Sequence, residues 1–303
     1  MSVITEDIGS PCNDQTLPPS NTLQESQIIA LPHDIITLLI TEHLDDVTAL
    51  SSLSMTCHLL NDHCRPQVFR TVVVSKSHTA QGKVNHPSME LVQPVAILRQ
   101  SPDIAELVQD LRVFKSGLTH TLRNALHVDD GQNLSFLFTR PMRSLRRLDL
   151  TLHLQWNGLA KSVQDSYRKV FSLPNLREVH LDTLGVPTSY LAHLPSNLGI
   201  LGIRGSIRHP AEDGEDEENP PNTVEPRHVT VQAERLHLDI IDALGHFSSP
   251  VRFTSLQSFE YYGHGGDLNA VSDVVGRQGS SSVTRLRLGC KCVEHRYDPF
   301  SPS

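Results

Sequence analysis

Lys and Arg are missing from the first 64 residues of this 303-residue chain, a stretch that holds nine acidic residues. The whole chain carries −8, so the remainder carries +1. Within that remainder, residues 211–219 (AEDGEDEEN) concentrate six acids and no base. The body outside these two acidic regions is therefore mildly basic. Long hydrophobic runs are also missing: no window reaches the ~18 apolar residues of a membrane-spanning helix, and no basic residue precedes an apolar run at the N-terminus as in a secretory signal. Cysteine is sparse and odd in number, with Cys12, Cys57, Cys64, Cys290 and Cys292. That usage predicts reduced thiols and a cytoplasmic or nuclear setting, or both. No G-x-S-x-G elbow, phosphate-binding G-x-x-x-x-G-K-[ST] loop or Rossmann glycine fingerprint occurs, so no nucleotide or other cofactor is expected. Aromatics make up 5% and the pI is about 6.1, which argues against a nucleic-acid binder. An apolar content of 38% nonetheless suffices for a real core.

Composition places the breaks. Residues 1–30 are polar, with Pro11, Pro18 and Pro19, and are expected to be a disordered tail. Residues 209–228 combine four prolines with the acid run and read as an exposed acidic, Pro-rich loop. Residues 293–303 read as a C-terminal tail.

Residues 31–70 are the most informative stretch. Pro32 suits a first helical turn, and Asp34 places a negative charge near the positive helix end. Ile35, Ile36, Leu39, Ile40 and Leu44 then form an apolar stripe on a helix of about 13 residues. Asp45-Asp46 fits the start of a second helix carrying Val47, Leu50 and Leu53, and Ser54 fits the cap of a third carrying Cys57, Leu60 and Cys64. Three helices this short leave apolar surface that only outside contacts can cover.

Leu31-Pro32, the apolar series to Leu60, Cys64-Arg65-Pro66 and Phe69-Arg70 together resemble an F-box of the fungal type. The resemblance implies a module that docks on the Skp adaptor of an SCF-type (cullin-RING) ubiquitin ligase and, through it, a cullin. It assigns adaptor contact and internal packing to Leu31, Pro32, Ile35, Ile36, Leu39, Ile40, Leu44, Leu50 and Leu53.

Downstream, one pattern recurs as Val108-x-x-Leu111-x-Val113, Leu145-x-x-Leu148-x-Leu150, Leu176-x-x-Val179-x-Leu181, Leu198-x-x-Leu201-x-Ile203, Leu256-x-x-Phe259-x-Tyr261 and Val283-x-x-Leu286-x-Leu288. Leu236-x-Leu238 is a weaker member, and Val72-x-Val74 begins the series. Each ends in the alternation of a short strand with one buried face. The arrangement resembles a leucine-rich repeat, though the steps between middle residues (37, 31, 22, 35, 23 and 27) scatter around the usual ~20–29. The fold expected is α/β: a three-helix F-box followed by an irregular leucine-rich-repeat solenoid, with parallel strands on the concave side and helices outside. The repeats fill residues 71–208 and 229–292.

In such a fold the variable strand residues face outward. They include Arg112, Phe114, Arg147, Asp149, His180, Arg204, His237, Glu260, Tyr262 and Arg287, the candidate surface for an unknown protein substrate. For any single one, an ordinary solvated strand residue is the commoner outcome. The expected function is that of a non-catalytic substrate receptor that touches neither nucleic acid nor membrane. The alternative is a leucine-rich interaction module without ligase association. A hydrolase reading rests only on Gly263-His264-Gly265-Gly266, which a turn after a strand explains more simply. No metal is expected: Cys57, His58, His63 and Cys64 read as parts of packed helices, while Cys290, Cys292 and His295 lack a fourth ligand nearby. Arg140, Arg143, Arg146 and Arg147 form a basic cluster, read as a solvated rim or as a receiver of acidic groups.

Overall fold

The computed structural model describes residues 32–43, 46–75, 88–114, 128–208, 223–233, 239–245, 249–263, 268–277 and 282–290. The expected tails, most of the acidic loop, Leu31, Leu44, His237, Cys292 and His295 lie outside the described residues. The chain divides into two compact units, Met1–Arg65 and Pro66–Ser303.

The first unit is helical. Helix α1 spans His33–Glu42, shorter than the periodicity suggested, with Pro32 at the N-cap position rather than inside the first turn. The Pro32 carbonyl accepts from Ile35 N (2.9 Å) and Ile36 N (3.2 Å), and Asp34 supplies the first-turn acid. Helix α2 spans Val47–Ser54, and Asp46 caps it: its Oδ1 accepts from Ala49 N at 2.9 Å. Ser54 ends α2 and caps nothing, because its hydroxyl turns back to donate to the Ser51 carbonyl. Helix α3 starts at His58 and runs to Val68, across the boundary between the units, with the Cys57 carbonyl accepting from Asn61 N at its start.

The second unit is α/β. Among the described residues nine strands form one parallel sheet in the order β2-β1-β3-β4-β5-β6-β7-β8-β9. They are β1 (Thr71–Ser75), β2 (Ser88–Met89), β3 (Asp110–Phe114), β4 (Arg147–Gln155), β5 (Glu178–Pro187), β6 (Ile200–Arg208), β7 (His228–Ala233), β8 (Ser258–Gly263) and β9 (Arg285–Cys290). From β4 onward each strand lies beside its predecessor, while β3 pairs with β1. The intervening helices among the described residues are α4 (Val92–Gln100), α5 (Val128–Phe138), α6 (Lys161–Phe171), the single turn α7 (Thr188–Leu191), α8 (Asp239–Gly245) and α9 (Leu268–Arg277).

Period-two alternation sorts the strand side chains. Leu111, Leu148, Val179, Leu201, Val229 and Phe259 stand in one register row, and Val113, Leu150, Leu181, Ile203, Val231 and Tyr261 in the next. All twelve are buried, and they join one core with helix residues such as Leu134, Leu137, Val163, Tyr167, Ile240 and Val271. Trp156 lies edge-on to Tyr167 (5.2 Å) and to Tyr190 (4.4 Å) in that core.

One expectation about register was wrong. The strand between β6 and β8 is His228–Ala233, built on Val229 and Val231, whereas Leu236 and Leu238 lie outside the described residues. The sequence HVTVQA is β-branched and alternating, but its proximity to the proline-rich loop hid it. Order begins earlier than the expected loop boundary too: Val224 is buried and bridges Val251 in parallel.

At the N-terminal edge of the sheet a second regularity holds the strands in line. The Arg70 carbonyl accepts both Gln109 N (2.8 Å) and Asp110 N (3.0 Å). The carbonyls of Gln109, Arg146, Arg177, Gly199, Arg227 and Gln257 each repeat this with the two N–H groups that open the following strand. Two departures from ideal strand geometry use glycine: Gly185 (φ 74°) sits at the register shift between β5 and β6, and Gly205 (φ 104°) lies beside it on β6.

Candidate functional site

Two surfaces carry the predicted site residues, one on each unit. On α1, burial divides the predicted adaptor residues. Ile36 and Ile40, four apart, are buried, as is Leu50 of α2. Ile35 and Leu39 lie on another face with Leu38, and these three are 42%, 37% and 53% exposed. Pro32 is exposed and Leu53 half-buried. Leu38 was missed by the sequence reading because the stripe was drawn through the residues flanking it. Met55, 79% exposed just after α2, was missed as well. Cys64 is fully buried, whereas Cys57 is half-buried ahead of α3. Burial pushes the Cys64 thiol pKa up, with the neighbouring Cys57 adding to it.

On the sheet, the register brings nine of the ten candidate substrate-contact residues onto one face in three rows. Arg112, Asp149, His180, Gly202, Thr230, Glu260 and Arg287 form the central row. Thr230 stands where His237 was expected. Phe114, Thr151, Asp182, Arg204, Gln232, Tyr262 and Gly289 form the row nearer the strand ends. A third row begins the strands and contains Asp110, Arg147, Glu178 and Arg285.

The charges on this face are occupied with one another. Arg112 donates to Asp110 through Nη2 (2.6 Å) and Nε (3.1 Å), and this bonding raises the guanidinium pKa further. Arg147 reaches Glu178 at 2.9 Å, and the same Glu178 oxygen meets His180 Nε2 at 2.7 Å. Arg204 Nε lies 3.3 Å from Asp182, and Arg287 Nη1 lies 3.4 Å from Glu260, which also accepts from Tyr262 OH at 3.3 Å. Asp149 accepts from Thr151 Oγ1 at 3.3 Å. Burial raises the Asp149 pKa, opposed by His180 and Arg147. Such a face offers shape, hydrogen bonds and two aromatic edges to a partner, but little uncompensated charge.

Gly263 ends β8 as a buried strand residue, while His264, Gly265 and Gly266 lie outside the described residues. The apolar cleft beneath β1 and β3 is lined by residues such as Phe69, Val72, Ile97, Ile104, Leu137 and Met142, with no titratable group to orient a polar substrate. Among the described residues no three His, Cys, Asp or Glu side chains converge as metal ligands, and no helix is long and apolar enough to cross a membrane.

The basic cluster read from the sequence separates in space. Arg140 stacks its guanidinium 3.9 Å over the Phe136 ring, with Arg99 also near that ring at 5.0 Å. Arg147 turns to the outer face, and Arg143 and Arg146 remain exposed. Compared with known proteins, the chain matches no protein-family model and no curated protein.

Proposed function

We propose that the chain is a non-catalytic substrate-recognition subunit of an SCF-type ubiquitin ligase. In this reading residues 31–70 are an F-box that binds a Skp-type adaptor and, through it, a cullin. The strands from β1 to β9 belong to an irregular leucine-rich-repeat solenoid whose outward face meets a protein substrate. The protein works in the cytoplasm, the nucleus or both.

One observation carries the reading: α1 leaves Ile35, Leu38 and Leu39 exposed together, at i, i+3 and i+4, in a region without Lys or Arg. Fully burying each of these side chains contributes about 1.5–3 kcal/mol, so three of them can anchor a partner. The receptor would need no reactive group of its own. Holding substrate and ligase on one chain raises the concentration of substrate lysines near the charged conjugating enzyme, whose thioester does the chemistry.

Co-purification tests it. Tagged protein should bring down adaptor and cullin, and Leu38→Asp with Leu39→Asp should abolish their capture while the circular dichroism of the chain persists. Recovery of neither from the native chain favours the alternative, an interaction module without ligase association. Undiminished capture by the double variant would remove α1 from the interface.

A further inference from the structure

The outward sheet face spends its charges internally, but the N-terminal edge of the same sheet does not. Directly before β1, β4, β5 and β7 stand Arg70, Arg146, Arg177 and Arg227, and all four are exposed. Among the described residues none of them takes part in an ion pair, and beyond backbone bonds only Arg177 has a side-chain partner, the Asn197 carbonyl at 3.5 Å. Their backbones are fixed, because the carbonyl of each accepts the paired N–H groups of the next strand. Four cations are thus set on a rigid ruler with strand spacing. Adjacent strands lie about 4.8 Å apart, so Arg146 and Arg177 are one interval apart and Arg70 to Arg227 covers roughly 24 Å. Acids close to this edge in sequence are Asp110 and Glu178, which already pair with Arg112 and Arg147, and Asp103, Glu106 and Glu225, of which Glu225 accepts from Ser255 Oγ at 3.1 Å.

We infer that this arginine edge is a docking site for an extended acidic peptide segment of a partner protein. An extended chain rises about 3.3 Å per residue, so some seven residues run from Arg70 to Arg227, with carboxylates meeting successive guanidinium groups as charge-assisted hydrogen bonds. Nucleic acid fits less well. The outward aromatics Phe114 and Tyr262 lie at the opposite end of the strands, so among the described residues they give the edge no stacking platform. The inference is independent of ligase membership, since it concerns the isolated chain.

The test uses the full chain and a fluorescein-labelled decapeptide rich in Glu, with its Gln counterpart as control, followed by fluorescence anisotropy at two salt concentrations. The Glu peptide should bind, weaken with salt, and lose about tenfold or more in affinity with Arg146→Glu plus Arg177→Glu. Arg146→Lys plus Arg177→Lys should restore part of the binding, and thermal melts should show both variants folded. Equal binding of the Gln peptide, unchanged affinity in the charge-reversed variant, or tighter binding of a single-stranded oligonucleotide would overturn the inference. Binding that emerges only after deletion of residues 211–219 would overturn it too, by giving the edge to the chain's own acidic run.

Discussion

The imidazole of His180 occupies the space in which Gly202, its register partner on the next strand, would carry a Cβ. That ring is held from the other side by Glu178, 2.7 Å from Nε2. Gly202→Ala therefore pushes the ring off its site and strains the contact with Glu178. The expected cost is about 1 kcal/mol, at the low end for overpacking because His180 is half-exposed and can swing outward. NMR of the His180 ring protons reports the displacement; unshifted resonances in the variant would contradict the packing described.

Asp149 predicts a pH effect. Its carboxyl has a raised pKa because burial disfavours the charged form, so between the unfolded and folded values the native state binds more protons than the unfolded state. Its contribution is fully present below the unfolded value and is lost as the pH rises through the folded one. Asp149→Asn abolishes that dependence. Denaturation midpoints of the variant relative to the native protein should therefore improve as the pH rises from about 3 to 6. A difference that stays flat, or falls, over that range refutes the assignment.

Tyr167 carries a buried hydroxyl with no hydrogen-bond partner among the described residues, and burial raises its pKa strongly. Removing an unsatisfied buried hydroxyl is neutral or favourable, so Tyr167→Phe should hold or raise the stability, by up to about 1–2 kcal/mol in chemical denaturation. Tyr167→Ala should instead cost about 3–5 kcal/mol, because the ring meets Phe138, Trp156 and Phe171 edge-on. A Phe variant less stable than the native protein would point to a hydroxyl partner.

The two helical thiols should react in order. Half-buried Cys57 is predicted to take up a maleimide label in the folded protein while Cys64, fully buried with a raised pKa, stays unmodified until unfolding. Peptide mapping by mass spectrometry reads both sites. Labelling of Cys64 at the rate of Cys57 would mean the α3 interior opens readily.

Much of the sheet was legible because alternation is a local signal. Leu148 and Leu150, or Phe259 and Tyr261, announce a strand wherever they lie, and the parallel register then fixes which outward residues are neighbours. The strand at His228 was lost because nearby prolines and acids dominated its window, although Val229 and Val231 were present. On α1 the pattern revealed that apolar residues exceed one face, but not which of Ile35, Ile36, Leu38, Leu39 and Ile40 turn inward. That choice depends on packing beyond the helix. The edge arginines also carried a signal, the residue immediately before each strand, which acquires meaning only after the strands are aligned.

The doubled carbonyl contacts along the sheet edge have one further consequence. They join backbone to backbone and consult no side chain, so the identity of the residue at each junction is free: Arg70, Gln109, Gly199 and Gln257 serve equally. Mutation can therefore redraw the outward pattern of charge strand by strand while the alignment of the strands persists, and a new recognition surface can arise on this scaffold without a new architecture.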